Sequence, residues 1–560
     1  MTTPLPAGSL RATSLNAARR RTELAAVADG AVLDVLVVGG GVVGAGVALD
    51  AASRGLSVCL VEARDIGFGT SRWSGNVVHG GLRHLINGDF ALARLNAVER
   101  NVLMTRTAPH LVHALPTLYP QYQVKLGRSG PTPAEVAVAA GLRAEDALRR
   151  LARTPAAVLP PPRHVPTAEA LALVPGLRAT ELRGGTLSFA GQLVDDARLV
   201  CALARTAAGF GARVLTRVRA TRLHGDGADV VDELTGSAFS VRAHAVVNAT
   251  GVWANELQES VRLRHWLGTY LVLDAEVVGL AGTALATTAV VAKRPKLVSL
   301  TPQQDGLVYL GMADQSVDYR DRPVPETPEP PQSDVDFLLD VGSSMLDRRL
   351  RREHVLRAFA GIGARLDTPT RAPDGGWPGR QAASRAAEWF GTQVGGRVSS
   401  RAGGRGHRVV TGPDGVVTVL GGELTTYRRM AEDAVDTAIE ARQLAAGPSR
   451  TTDIPLVGAG HQSQLSTVDA PARLVARYGM EAGRIAALAE LDPDMADPVG
   501  GRGGITAAEV VWAVRHEGAL SAEDVLDRRT RIGLVAADRA EAEPEVAELV
   551  AKSLDGLLAT

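Results

Sequence analysis

Residues 34–62 read DVLVVGGGVVGAGVALDAASRGLSVCLVE, and the order of residue types in this stretch decides the fold. Val35 to Val38 is an unbroken apolar run, as expected of a parallel strand buried on both faces. Gly39, Gly41 and Gly44 follow with the spacing G-x-G-x-x-G. VALDAASRG then reads as a helix closed by Gly55, the residue type suited to the turn after a helix. Ser57 to Val61 is a second β-rich run, and it ends in Glu62. Strand, glycine turn, helix, strand and acid within about 30 residues form a dinucleotide-binding βαβ unit. Gly39 allows the tight turn, Gly41 lets the backbone approach a pyrophosphate, and Gly44 lets the helix close on the strand. The helix start offers free N–H groups and a positive dipole end to phosphate. Glu62 is placed to accept hydrogen bonds from an adenosine ribose. The fingerprint alone does not separate FAD from NAD.

The next segment favours the longer cofactor. Gly67, Gly69, Thr70, Ser71 and Ser74 form a polar, glycine-rich loop able to wrap an extended ligand with hydroxyl and backbone donors. His79, Gly80 and Gly81 then set an imidazole beside flexible backbone. Two later stretches have related character. Residues 197–212 read as an amphipathic helix, and the strand pattern of 212–223, which includes Val218, follows it. A strand at Ala245 to Val247 runs into Asn248, Ala249, Thr250 and Gly251, a small-residue turn that permits close backbone approach. A strand at Val416 to Leu420 is broken by Gly421 and Gly422, and Leu424, Thr425, Thr426 and Tyr427 begin a helix through Glu440. Three such sites spread along the chain imply one discontinuous cofactor domain with insertions.

Composition bounds the remainder. A chain of 560 residues exceeds one ordinary core, so two or three domains are expected. Lys plus Arg equals Asp plus Glu at 61 each, which gives no global attraction to nucleic acid or an anionic membrane. Cys59 and Cys201 are the only cysteines; Cys59 falls in a strand pattern and reads as a buried thiol in a reducing compartment. No signal peptide and no span of about 20 apolar residues is evident. These features point to a cytoplasmic protein, with peripheral contact on the inner face of the cell membrane left open. No metal site is expected.

Longer motifs carry a resemblance. GTSRWSGNVVHGGLRHL (69–85), NATGVW (248–253) and GGELTTYR (421–428) are similar to motifs of the FAD-dependent glycerol-3-phosphate dehydrogenases. VDDARLV (194–200) and EGALSAEDVLDRRTRIGL (517–534) extend the likeness along nearly the whole chain from Asp34 on. The resemblance implies an α/β fold: a discontinuous Rossmann-like FAD-binding domain, a sheet-rich substrate cap and a C-terminal helical domain. The expected partition is an N-terminal extension (1–30), a cofactor domain (31–104, 190–260 and 345–440), a cap (105–189 and 261–344), a linker (441–457) and the helical domain (458–560). Pro471 to Leu488 and Thr506 to Leu526 carry helical periodicity that agrees with the last part.

The resemblance also implies a reaction, oxidation of sn-glycerol 3-phosphate to dihydroxyacetone phosphate with electrons passed to a quinone. Such chemistry needs a base for the hydroxyl proton and cations for the phosphate. His79 matches the family's active-site histidine, and Arg83 and Arg401 match arginines near the substrate. A homodimer is left open.

Several substrate-side positions depart from the family pattern. Asn76 and Glu423 stand where the family has lysines, Gly363 where it has an arginine, and His84 where it has a tyrosine. Two hydroxyls are lost at 311–314, which read GMAD. Three cations removed and one anion added would weaken phosphate binding unless Arg365, Arg405 or His407 compensates. Two other readings therefore stay open: a flavin dehydrogenase for a non-phosphorylated polyol or related alcohol, and an FAD-binding protein that has lost turnover.

Overall fold

The computed structural model describes residues 10–86, 88–123, 133–291, 294–319, 322–366 and 406–558. Strand Val32–Val38 lies inside a parallel sheet, between Ala238–Asn248 and Val58–Glu62. Arg213–Thr216 extends the sheet beyond Val58–Glu62, and Val417–Gly421 extends it beyond Ala238–Asn248. His407–Thr411 closes the latter edge antiparallel. Successive residues of a strand face opposite sides of the sheet. Val35 and Val37 meet one core with helices Val42–Ser53, Asp196–Gly209 and Tyr427–Arg442. Leu36 and Val38 meet a second core beneath the hairpin Val218–His224 and Gly227–Asp232. Burial on both faces is why the run has no polar alternation.

The expected N-terminal extension joins this second layer. Helix Ala17–Ala28 buries Val27 in the core of that layer, and Arg20 pairs with Asp232 of the hairpin.

A second sheet of nine strands stands over the first. Its order is Val355–Leu366, Leu263–Asp274, Leu307–Val317, Arg294–Pro302, Ala284–Val291, Val112–Tyr122, Leu182–Leu193 and Val77–Val78, with Arg163–Val165 beside Leu182–Leu193. Helix Gln332–Met345 covers one face through Leu338 and Leu339. This sheet corrects the expected partition. Val355–Leu366, assigned from sequence to the cofactor domain, pairs antiparallel with Leu263–Asp274. Val77–Val78 and the end of Leu182–Leu193 likewise belong to the cap sheet. Alternation along a strand reveals its two faces and is silent about its neighbour.

The C-terminal region is helical. Ala472–Tyr478, Ala482–Leu491, Ala507–His516 and Ala536–Leu558 surround two small cores. Both helices expected from sequence are interrupted, the first at Gly479 (φ 57°) and the second near Gly518 (φ 76°). The expected linker is strapped down: Ile454 and Leu456 are buried in the main core, and the Leu456 N–H donates to the Thr107 carbonyl at 2.8 Å. Arg198 and Glu517 join the helical region to helix Asp196–Gly209 by a buried bidentate pair at 2.8 and 2.9 Å.

Candidate active site

A cavity of about 840 Å³ opens between the two sheets, at the carboxyl ends of the parallel strands. Its floor is the glycine turn. Gly39 takes φ 109°, and a Cβ there would meet the Ala249 carbonyl oxygen at 2.7 Å. Gly39, Gly40 and Gly41 line the cavity; Gly44 does not. Gly44 sits inside the helix, where a Cβ would fall 1.9 Å from the Gly39 carbonyl oxygen. Its absence of a side chain is what allows the helix to start against the strand. The Val42 N–H of the first helical turn donates to Ser71 Oγ at 2.9 Å, which fixes the following loop over the turn.

Glu62 closes one end. Its Oε2 accepts from the Gly40 N–H at 2.6 Å and its Oε1 from the Arg64 N–H at 2.8 Å. Burial pushes its carboxyl up, and these two donors act in the opposite direction. Val218, Ala249 and Gly251 line the wall beside it, and Thr70, Ser71 and Ser74 line the overlying loop. Thr70 Oγ1 donates to the Ile362 carbonyl at 2.5 Å, and the Ser74 N–H donates to Asp196 Oδ2 at 3.0 Å.

The far end gathers His79, Gly80, Arg83, Gly421, Leu424 and Thr425. The His79 N–H donates to Thr425 Oγ1 at 3.2 Å, so two segments 346 positions apart share one wall. The imidazole is exposed to the cavity, and the protein around that cavity encloses it. Enclosure pushes its pKa down to about 4; Glu423 opposes this, and Arg83 adds to it. The ring is thus a neutral acceptor at ordinary pH. Arg401 lies outside the described residues.

The departures from the family pattern resolve one by one. Glu423 lines the cavity, and its carboxylate is engaged on both sides: Arg83 Nη2 pairs with Oε1, and His84 Nε2 lies 3.2 Å from Oε2. Burial alone would raise its pKa, yet His84 and Arg83 hold it down at about 2. The anion at 423 and the histidine at 84 are therefore partners, and Arg83 neutralises the added charge. His407 is not the compensating group, since its Nε2 is 2.8 Å from Asp433 Oδ2.

Gly363 also lines the cavity, but the room beside it is taken. The indole of Trp266, its partner in the adjacent strand, would be 2.2 Å from a Cβ at 363. Arg365 does not line the cavity; its guanidinium lies 5.8 Å from the Trp266 ring centroid. Asn76 is absent from this cavity. Its Nδ2 donates to Gln303 Oε1 at 3.0 Å and its Oδ1 accepts from the Asp196 N–H at 3.1 Å, which makes it a brace behind the wall.

The cap contributes residues that sequence reasoning missed. Trp266, Tyr270, Lys296, Tyr119 and Glu145 all line the cavity. Tyr270 stacks on Phe359 at 5.1 Å, and Glu145 pairs with Arg100 at 2.8 Å. They sit in strands and a helix with no short motif, so their only sequence signal is the periodicity of the element that carries them.

The donor set suits a flavin dinucleotide. A glycine turn with no room for a Cβ at Gly39, a helix start facing the cavity, a loop of hydroxyls and a ribose-type carboxylate occur in one cavity. Residues 34–428 match the FAD dependent oxidoreductase family, and residues 449–555 match the C-terminal domain of alpha-glycerophosphate oxidase. Fold and site together define an FAD-dependent oxidoreductase. Glycerol-3-phosphate dehydrogenase 1 of Mycobacterium tuberculosis is 45% identical over 529 residues, covering 94% of this chain and 96% of that protein. Glycerol-3-phosphate dehydrogenase 2 of the same organism is 35% identical over 541 residues, covering 93% and 85%. The chain belongs to the FAD-dependent glycerol-3-phosphate dehydrogenase family. The structure of glycerol-3-phosphate dehydrogenase from Bacillus halodurans, complexed with FAD, superposes with a TM-score of 0.67 at 22% identity, over 98% of this chain and 97% of that one. At that identity the likeness concerns the fold alone.

Proposed function

We propose that this chain oxidises sn-glycerol 3-phosphate to dihydroxyacetone phosphate and delivers the electrons to a quinone-type acceptor. The observation that carries this reading is the meeting of the dinucleotide turn with His79 and Arg83 in one cavity. Bound FAD supplies a two-electron acceptor for the hydride of the carbinol carbon. The protein has three tasks. An imidazole nitrogen of His79, kept neutral by its enclosure, takes the hydroxyl proton. Arg83, held in place by Glu423, turns its remaining N–H groups to phosphate oxygens, with Lys296 as a further cation. Trp266 and Tyr270 wall off water above the reacting carbon.

The neutral-polyol reading draws less support, because Glu423 is already paired with Arg83 and His84, which offset its charge. The test is steady-state oxidation with a soluble quinone. sn-Glycerol 3-phosphate should exceed glycerol in kcat/KM by a factor on the order of 100, the worth of one or two charge-assisted contacts. Equal values for the two substrates would reject the phosphate site.

Glu423→Lys, which restores the family cation, is expected to reduce kcat/KM by about tenfold or more. It sets an ammonium beside Arg83 and His84 and removes the contact that orients the guanidinium. A rise in kcat/KM would show that Glu423 obstructs phosphate.

The site of action we propose is the cytoplasmic face of the membrane. No helix among the described residues is long and apolar enough to cross a bilayer. Helices Phe90–Val102 and Pro133–Leu151 expose Phe90, Val98, Val136 and Leu151 alongside Arg94, Arg143 and Arg150, a composition suited to an anionic interface. Cosedimentation with anionic vesicles should be lost in Phe90→Asp; unchanged sedimentation would exclude this face.

A further inference from the structure

A dense cluster of buried charge lies behind the loop that wraps the adenosine end of the cavity, and its arginines come from the C-terminal region. Asp65, three positions beyond Glu62, is fully buried. Its Oδ2 accepts from Arg528 Nε at 2.7 Å and from Arg529 Nη1 at 2.9 Å, and its Oδ1 accepts from Arg529 Nη2 at 2.9 Å. Both guanidiniums are themselves buried. Arg528 Nη2 continues to Asp524 Oδ1 at 2.6 Å, and Arg529 also donates to the Glu517 carbonyl at 2.9 Å. Burial would push the Asp65 carboxyl up, and the two arginines more than reverse this and keep it anionic.

The grip extends along the same loop. Arg531 donates to the Arg72 carbonyl, and its Nη1 lies 3.3 Å from Asp196 Oδ1, while Asp196 Oδ2 accepts the Ser74 N–H. Asp527 pairs with Arg72 at 3.4 Å. Between these anchors lie Phe68, Gly69, Thr70, Ser71, Trp73 and Ser74, which face the cavity. The turn spanning residues 524–531 thus holds the loop from its outer side at Asp65, Arg72 and Ser74. None of its arginines lines the main cavity.

We propose that Arg528, Arg529 and Arg531 are positioning residues for the cofactor: they preset the loop from Glu62 to Ser74, so that retention of the adenosine half of FAD depends on the C-terminal region. The inference rests on the cofactor placement given above. The mechanism is preorganisation. A loop ordered before binding adds no ordering cost when the dinucleotide arrives, and Glu62 keeps its geometry because the next carboxylate along the chain, Asp65, is neutralised by Arg528 and Arg529. Without them the Asp65 carboxylate would be a buried, unpaired charge beside Glu62, and the loop would move to hydrate it.

The experiment titrates apo-protein with FAD and, separately, with FMN, which lacks the adenosine half. Arg529→Met removes one bidentate grip. Arg528→Lys keeps the charge but cannot bridge Asp65 and Asp524 as a guanidinium does. In each folded variant, checked by circular dichroism, the dissociation constant for FAD is expected to rise about tenfold or more, while FMN affinity and the absorbance of bound flavin stay at wild-type values. If Arg529→Met fails to fold, Arg528→Lys carries the same comparison. An FAD dissociation constant within twofold of wild type, or an equal loss for FAD and FMN, would overturn the proposal. Failure of the wild-type protein to bind FAD would instead reject the cofactor placement on which it rests.

Discussion

Gly44→Ala is expected to yield a folded protein that purifies without flavin. A Cβ at this position would lie 1.9 Å from the Gly39 carbonyl oxygen, which belongs to the backbone of the turn and has no rotamer to escape into. Relief requires the helix to withdraw by roughly 1.5 Å, since non-bonded atoms settle near 3.5 Å. Its N–H groups then no longer reach the pyrophosphate. Charge-assisted hydrogen bonds contribute roughly 1.5–3 kcal/mol each. Losing two weakens FAD by a factor on the order of 100 to 20,000. The ratio of flavin to protein absorbance after gel filtration measures this directly. Gly282→Ala serves as the control, since nothing lies within 4 Å of a Cβ there. Stoichiometric flavin in Gly44→Ala would mean that the helix start does not hold the phosphates.

His79→Asn is expected to keep FAD and lose turnover. General-base assistance contributes about 10²–10⁴ in rate, and asparagine has no basic nitrogen to replace it. The pH profile gives an independent reading. Enclosure sets the His79 pKa at about 4. The imidazole is the neutral base above that value and an imidazolium, unable to accept a proton, below it. Wild-type kcat/KM should therefore fall only as pH drops through about 4, with no step near 6.5 where an unperturbed histidine titrates. A step near 6.5 that vanishes in His79→Asn would contradict the enclosure. A kcat in His79→Asn within fivefold of wild type would remove the residue from the proton transfer.

Much of the cofactor half was legible from residues 34–62, because strand burial, glycine spacing and the terminal acid are all local properties. The α/β class with a cap sheet and helical C-terminal region is borne out. The substrate half was less legible, because it is made of contacts between distant positions. Glu423 alone reads as an anion opposed to phosphate; beside Arg83 and His84, some 340 positions away, it is an orienting counter-charge. Gly363 reads as a missing arginine until Trp266 is seen across the strand pair. Asn76 reads as a lost cation and is a brace facing away from the cavity. The placing of Val355–Leu366 with the cofactor domain, although it pairs with a cap strand, has the same origin, because pairing is a property of two strands. The DRRTR run at 527–531 carried the family likeness, while its contact with Asp65 depends on a separation of more than 460 residues.

The most direct test of the central claim is anaerobic reduction of the bound flavin. The FAD-loaded protein is mixed with sn-glycerol 3-phosphate in the absence of oxygen and the oxidised-flavin absorbance is followed. Rapid bleaching at sub-millimolar substrate is expected, abolished in His79→Asn and absent with glycerol. Flavin that stays oxidised under sn-glycerol 3-phosphate, yet is reduced by dithionite, would contradict it.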